Sequence, residues 1–174
     1  MKAGSYAVVD TNVLLVANDQ HENVSPEGVL ACVERLEGIR KGGCVVLDDG
    51  YEILSEYCVN ISSDKGHGFG GAFLKWLHQN SRNPKCVAQV HIERHEERGY
   101  SEFPDDVHLN EFDRADRKFV AVSVAHLNHP PILQGTDSKW LLWAERLAAH
   151  GIKVEFLCAG DVVEFVKRKK SLRG

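Results

Sequence analysis

Four short stretches of this chain set an acid beside an apolar run: Ala7-Val8-Val9-Asp10-Thr11-Asn12, Ile53-Leu54-Ser55-Glu56, Asp113-Arg114-Ala115-Asp116-Arg117-Lys118-Phe119-Val120-Ala121 and Ile132-Leu133-Gln134-Gly135-Thr136-Asp137. A carboxylate at the end of a buried run is expensive and needs a reason to be there. One fold class supplies that reason, because a parallel sheet presents the carboxyl ends of its strands along one edge, where ligands bind. Strand-like runs alternating with helical periods predict an α/β chain with a mainly parallel central sheet flanked by helices, in three layers.

Residues 6–10 read as a buried strand, followed by a loop or short helix through Leu15. Ser25-Pro26-Glu27 carries the signs of a helix start, a capping hydroxyl, a proline at the first position and an acid in the first turn. Val29, Leu30, Val33 and Leu36 keep helical spacing until Gly42-Gly43. Residues 44–47 predict a strand, with Asp48 or Asp49 capping the helix that bears Glu52 and Glu56. Further on, helices are expected at 72–77, 113–127, 139–150 and 161–170, and strands at 86–92, 131–135 and 152–157. Trp140 and Trp143 are expected in the core.

With 43% hydrophobic and 26% charged residues among 174, the composition is that of a globular protein, not a disordered one. The length predicts one domain over 1–174, with a long middle region at 57–112. No signal peptide and no apolar run of spanning length is seen, so no membrane association is expected. Five widely spaced cysteines, none in Cys-x-x-Cys, argue against a disulfide framework or zinc ribbon and fit the reducing cytoplasm. The tail at 167–174 holds five basic residues and no acid, leaving 16 basic against 25 acidic residues elsewhere. Such a tail either holds a phosphate backbone near a site or is a solvated helix end.

Three other motifs carry less. Gly66-His67-Gly68-Phe69-Gly70-Gly71 matches Gly-x-Gly-x-x-Gly, but no apolar strand leads into it. A loop over the site, acting as lid or flap at 62–71, is the expectation there. His91 and His95 are four apart, yet the surrounding alternation is that of a strand, which argues against helical chelation. Val45-Val46-Leu47-Asp48-Asp49 evokes a receiver domain, in which the acidic pair should close the first strand; here a strand and a helix precede it.

Acids at Asp10, Glu56, Asp116 and Asp137, gathered at one sheet edge, would repel one another unless a cation lay among them. An all-oxygen set favours Mg²⁺ or Mn²⁺. Asp10 either caps the following helix or ligates, with Asn12 orienting it. Glu56, wrapped in apolar residues, is preferred to Glu52 one turn earlier. Asp116 is preferred to Asp113, which is a cap or an additional ligand. Thr136 stands ready to bond a carboxylate or phosphate oxygen, and Asp137 either ligates or caps the next helix. Arg117, Lys118 and Lys139 are available for phosphate, although solvated charge is the default for such residues.

Val8-Val9-Asp10-Thr11-Asn12, Ile53-Leu54-Ser55-Glu56-Tyr57, Asp116-Arg117-Lys118-Phe119-Val120-Ala121-Val122-Ser123 and Gly135-Thr136-Asp137 together resemble the PIN-domain family of metal-dependent nucleases, over roughly residues 6–157. The resemblance implies a PIN-like three-layer sandwich with Asp10, Glu56, Asp116 and Asp137 around Mg²⁺ or Mn²⁺. It also implies hydrolysis of RNA, or of single-stranded DNA, to a 3′-hydroxyl and a 5′-phosphate. Dimerisation and a protein inhibitor belong to the same expectation, since many members are toxins of toxin–antitoxin pairs. The chain departs from compact toxin members in its long middle region. It departs again at Lys139, where many relatives carry a further acid. The rival expectation is a catalytically silent PIN-like module that binds RNA or protein.

Overall fold

The computed structural model describes residues 5–61 and 68–173. In chain order the elements are β1 (Tyr6–Val9), α1 (Thr11–Ala17), α2 (Pro26–Gly42), β2 (Cys44–Asp48), α3 (Glu52–Asn60), α4 (Phe69–Asn80), β3 (Val87–Val90), β4 (Arg94–His95), β5 (Gly99–Tyr100), a 3-10 turn (Val107–Leu109), α5 (Arg117–Ala125), β6 (Ile132–Gln134), α6 (Lys139–Ala149), β7 (Val154–Phe156) and α7 (Ala159–Ser171). Five strands form one parallel sheet in the order β3-β2-β1-β6-β7, flanked by helices as a three-layer sandwich. Among the described residues, β4 and β5 form a separate antiparallel ribbon. No described helix is long and apolar enough to cross a membrane.

The apolar runs become strands because a parallel sheet covered on both faces buries every position. Ala7, Val8 and Val9 in β1, and Val45 and Val46 in β2, have no exposed surface. Strand order reverses at β1, whose neighbours are β2 on one side and β6 on the other. The crevice for a ligand in such a sheet lies outside the strand ends at that reversal. Asp10 follows β1, and Gly135-Thr136-Asp137 follow β6, so both segments open onto it.

Several local expectations shift. Asp48 caps α3 with both oxygens, accepting from Glu52 N at 2.7 Å and Ile53 N at 2.9 Å, while Asp49 pairs with His91 at 3.0 Å. The fifth helix begins at Arg117 rather than 113, because Asp113 closes a turn by accepting from Ala115 N at 3.0 Å. Gly68, Gly70 and Gly71 are not a loop over the site. Gly68 caps α4, and at Gly70 an added Cβ would lie 2.2 Å from the Leu14 carbonyl oxygen. These glycines therefore let α4 lie against α1. The remainder of the expected flap, 62–67, lies outside the described residues.

Arg117 is a tertiary clamp rather than a phosphate contact. Only 4% exposed, it donates to the carbonyls of Phe112 (3.1 Å), Arg98 (3.1 Å) and Asn110 (2.7 Å), and its guanidinium lies 4.6 Å from the Phe103 ring centroid. It thereby ties the long middle region to the start of α5. A buried cation is tolerated when its donors are satisfied in this way.

Candidate functional site

Asp10 stands at the N-terminus of α1, and its Oδ1 accepts from Asn12 N at 2.8 Å. Its own backbone N–H donates to Leu133 O at 3.0 Å, which holds it against β6. Both expected roles of Asp10 are thus compatible: one oxygen caps the helix, and Oδ2 makes no hydrogen bond among the described residues. The residue is 6% exposed. Burial, then the charges of Asp116, Glu56 and Asp137, push its carboxyl up to about 8, against the partial relief of the Asn12 N–H. Three acids remote in sequence are therefore close enough to act on Asp10.

Asp116 ends the turn before α5 and makes no capping bond. Burial and then Asp113 raise its carboxyl to about 6, with Asp137 and Glu56 adding to the shift and Lys118 opposing it. Asp113 is exposed and spends Oδ1 on its turn. Asp137 precedes the N-cap of α6, Ser138, and uses Oδ1 to accept from Lys139 N at 3.0 Å, closing a local turn.

Glu56 reaches the site because Tyr57, next to it on α3, donates its hydroxyl to the carbonyl of Val9 at the end of β1. Burial and the charges of Asp10, Glu56 and Asp48 hold the Tyr57 phenol well above its ordinary range, so it stays a donor. The Glu56 carboxylate accepts from Thr11 Oγ1 at 2.5 Å and forms an ion pair with Lys118 Nζ. Lys118, 7% exposed, also donates to Ala115 O. Its ammonium is thus a positive charge inside the acid cluster, not a solvated group. Glu52 faces away, bonded to Arg94 at 2.7 Å and Tyr100 at 2.5 Å.

Asn12 Oδ1 receives Thr136 N at 2.7 Å and the Thr136 hydroxyl at 3.3 Å. A Cβ on Gly135 would lie 2.3 Å from that oxygen, so the glycine is what lets the two strand ends meet. His21 Nε2 lies 3.3 Å from Thr136 Oγ1, a placement no sequence signal foretold.

Oxygen donors with a buried, mutually repelling carboxylate pair are chemistry suited to Mg²⁺ or Mn²⁺. The spare oxygens belong to Asp10, Asp116 and Asp137. Among the described residues, no group of three or more His, Cys, Asp or Glu is arranged to hold an ion in these side-chain positions. No family model, curated protein or solved structure matches the chain.

The basic tail arrives at the same edge through α7. Asp161, in its first turn, accepts from Ser25 N at 2.9 Å and Ser25 Oγ at 2.8 Å, docking α7 against the start of α2. Two turns later, Arg168 and Lys169 line a cavity of about 410 Å³ together with Asn12, His21, Thr136, Asp137 and Lys139. Lys169 Nζ lies 3.4 Å from Ser138 Oγ. A second cavity, of about 360 Å³, opens on the other side of Lys139 and has Asp116 in its wall.

Proposed function

We propose that this chain is a PIN-like, divalent-metal-dependent nuclease that hydrolyses phosphodiester bonds, with RNA as its substrate. The observation that carries the reading is the buried Asp10 carboxylate, lifted by burial and by Asp116, Glu56 and Asp137 at the point where strand order reverses. Acids held there at the cost of mutual repulsion are accounted for by a cation that relieves it. Asp10, Asp116 and Asp137 would hold Mg²⁺ or Mn²⁺, with Glu56 and Asp113 reaching it through water. When bound, the ion would supply a nucleophilic water of lowered pKa and charge neutralisation at the phosphate.

The remaining roles fall to the chain. Asn12 and Thr136 fix the two strand ends and so the direction of Asp10. Lys139, Arg168 and Lys169 present positive charge beside the acids, which suits the phosphates that flank a cut. Lys118 sets the charge balance by pairing with Glu56. One carboxylate without a full bond to the ion would accept the proton of the attacking water.

The test is cleavage of end-labelled RNA and single-stranded DNA with Mn²⁺, Mg²⁺ or EDTA, in wild type and Asp10→Asn. Metal-dependent cutting that disappears in the variant supports the reading; equal cutting by both removes Asp10 from the chemistry. A silent RNA-binding module is the second reading, and one observation favours it: Lys118 already neutralises Glu56 where a ligand is expected. That reading is met by RNA retention in EDTA with no turnover under any metal.

A further inference from the structure

Two buried cysteines, remote in sequence, meet where α7 docks. Cys32 lies on α2 and Cys158 stands at the N-cap of α7, 126 residues later, yet their Sγ atoms are 3.6 Å apart. The α2 backbone is pressed against the same sulfur. Cys158 Sγ donates to Gly28 O at 3.4 Å, and a Cβ on Gly28 would lie 3.2 Å from that sulfur. A buried cysteine on its own acts as a small apolar residue. Two sulfurs in contact are a dithiol, since a disulfide holds them at about 2.05 Å and closing by about 1.6 Å would form it.

Hydrogen bonding and burial set the order of events. With the Cys158 hydrogen on Gly28 O, Cys32 is left as the donor to Cys158. That bond pulls the Cys158 thiol below its ordinary value, against burial and the Asp161 charge, while the same contact and burial push Cys32 up. Cys158 is therefore the readier thiolate, the form that attacks a disulfide. Cys32 is 0% and Cys158 2% exposed, so an oxidant reaches them when α7 lifts. Among its described residues α7 buries Val162 alone, and Asp161 anchors its start by accepting from Ser25 N at 2.9 Å and Ser25 Oγ at 2.8 Å. An element with so little buried surface opens locally, without global unfolding.

We propose that Cys32 and Cys158 form a reversible disulfide site, oxidised by a low-molecular-weight disulfide such as oxidised glutathione, and that the bond fastens α7 to α2. With α7 lifted, Cys158 gives its proton to solvent and its thiolate attacks one glutathione sulfur, breaking that S–S bond and releasing one glutathione thiolate. Cys32, uncovered by the same motion, then loses its proton and attacks Cys158 Sγ, expelling the second glutathione thiolate. The two thiolates take up two protons. Two cysteine thiols are thus oxidised while one glutathione disulfide is reduced to two thiols, and excess thiol runs the sequence backwards. The lock matters for the basic tail, because α7 carries Arg168 and Lys169 to the cavity beside Asp137. What it does for RNA rests on the function proposed above; the bond itself does not.

The experiment treats the reduced full chain with excess oxidised glutathione, traps remaining thiols by alkylation in acid and maps unreduced peptides by mass. The expected product links the Cys32 peptide to the Cys158 peptide with the loss of two hydrogens, and dithiothreitol restores both thiols. Cys32→Ala should instead hold glutathione on Cys158. Asp161→Ala, which frees the start of α7, should speed the link at least threefold. Amide exchange across α7 should slow at least tenfold once the bond is made. Free or merely glutathionylated Cys32 and Cys158, under conditions that modify the exposed Cys58, overturn the site. A link that leaves α7 exchange unchanged, or that forms no faster in Asp161→Ala, overturns the lock. RNA, metal and turnover enter none of these readouts, so failure of the nuclease reading leaves the bond standing, and a missing bond leaves that reading standing.

Discussion

Asn12 Oδ1 accepts the backbone N–H of Thr136 at 2.7 Å, joining residues 124 apart in sequence at the mouth of the sheet. The bond fastens the loop after β6 to the start of α1, and so sets Asp137 relative to Asp10. Asn12→Ala should cost about 1–3 kcal/mol, the usual loss when a buried donor is orphaned. Urea unfolding measures the stability. Cleavage assays should show kcat falling more than KM rises, because the acids are misplaced rather than the substrate lost.

Asp10→Asn should stabilise the metal-free protein at pH 8. Burial and neighbouring acids raise the Asp10 carboxyl to about 8, and that of Asp116 to about 6. An acid raised on folding favours the native state fully below its unfolded pKa, about 4, and loses that contribution as pH climbs through the folded value. Stability without metal should therefore decline between about pH 4 and pH 8. Asparagine keeps the helix cap and removes the charge, so its urea midpoint should exceed that of wild type at pH 8 and converge with it near pH 4. A lower midpoint for the variant at pH 8 would contradict the burial argument.

Lys118→Met should be destabilising, by about 3 kcal/mol or less, because Glu56 loses its counter-charge while remaining partly buried. Adding Mn²⁺ should restore more stability to this variant than to wild type. Thermal unfolding with and without the ion measures the difference, and an equal gain in both would show that ion and ammonium do not share a field.

Arg168→Ala with Lys169→Ala should weaken RNA binding evenly across sequences. Each lost phosphate contact flattens the dependence of log affinity on log salt by about 0.7 for a single strand. Binding isotherms at several salt concentrations give the slope. An unchanged slope would place the tail outside the interface.

Asp106 caps the 3-10 turn and accepts from Arg146 at 2.5 Å and His150 at 2.8 Å, linking that turn to α6. Those partners, Arg146 first, hold its carboxyl well below the ordinary range. A depressed acid contributes stability above its unfolded pKa and loses it as pH falls through the folded value. Wild type should therefore lose stability below about pH 4 more steeply than Asp106→Asn, as acid titration followed by circular dichroism would show.

Much of the architecture was legible because apolar runs and turn chemistry are local. The start of α2 at Ser25-Pro26 and the acid ending β1 could be read directly, since a cap or a buried run announces itself within a few residues. A cap at Asp48 or Asp49 was readable for the same reason, and the structure places it at Asp48. The ribbon β4–β5 was not, because two-residue strands carry no period. The glycines at 68–71 read as a loop because the reason for them, the carbonyl of Leu14 on another helix, is not local.

The chain by itself determined that four acid-bearing segments exist and that two of them close central strands, since alternation of strand and helix leaves little freedom in parallel topology. Only the tertiary structure decided which charges meet. Lys118 and Arg117 are adjacent and chemically alike in sequence, yet one enters the acid cluster and the other locks carbonyls of the middle region. Likewise, Asp161 on Ser25 brings a basic tail to Asp137. Hydrophobic periodicity specifies which face of an element is buried, but the partner of a charge is set by packing between elements far apart in the chain.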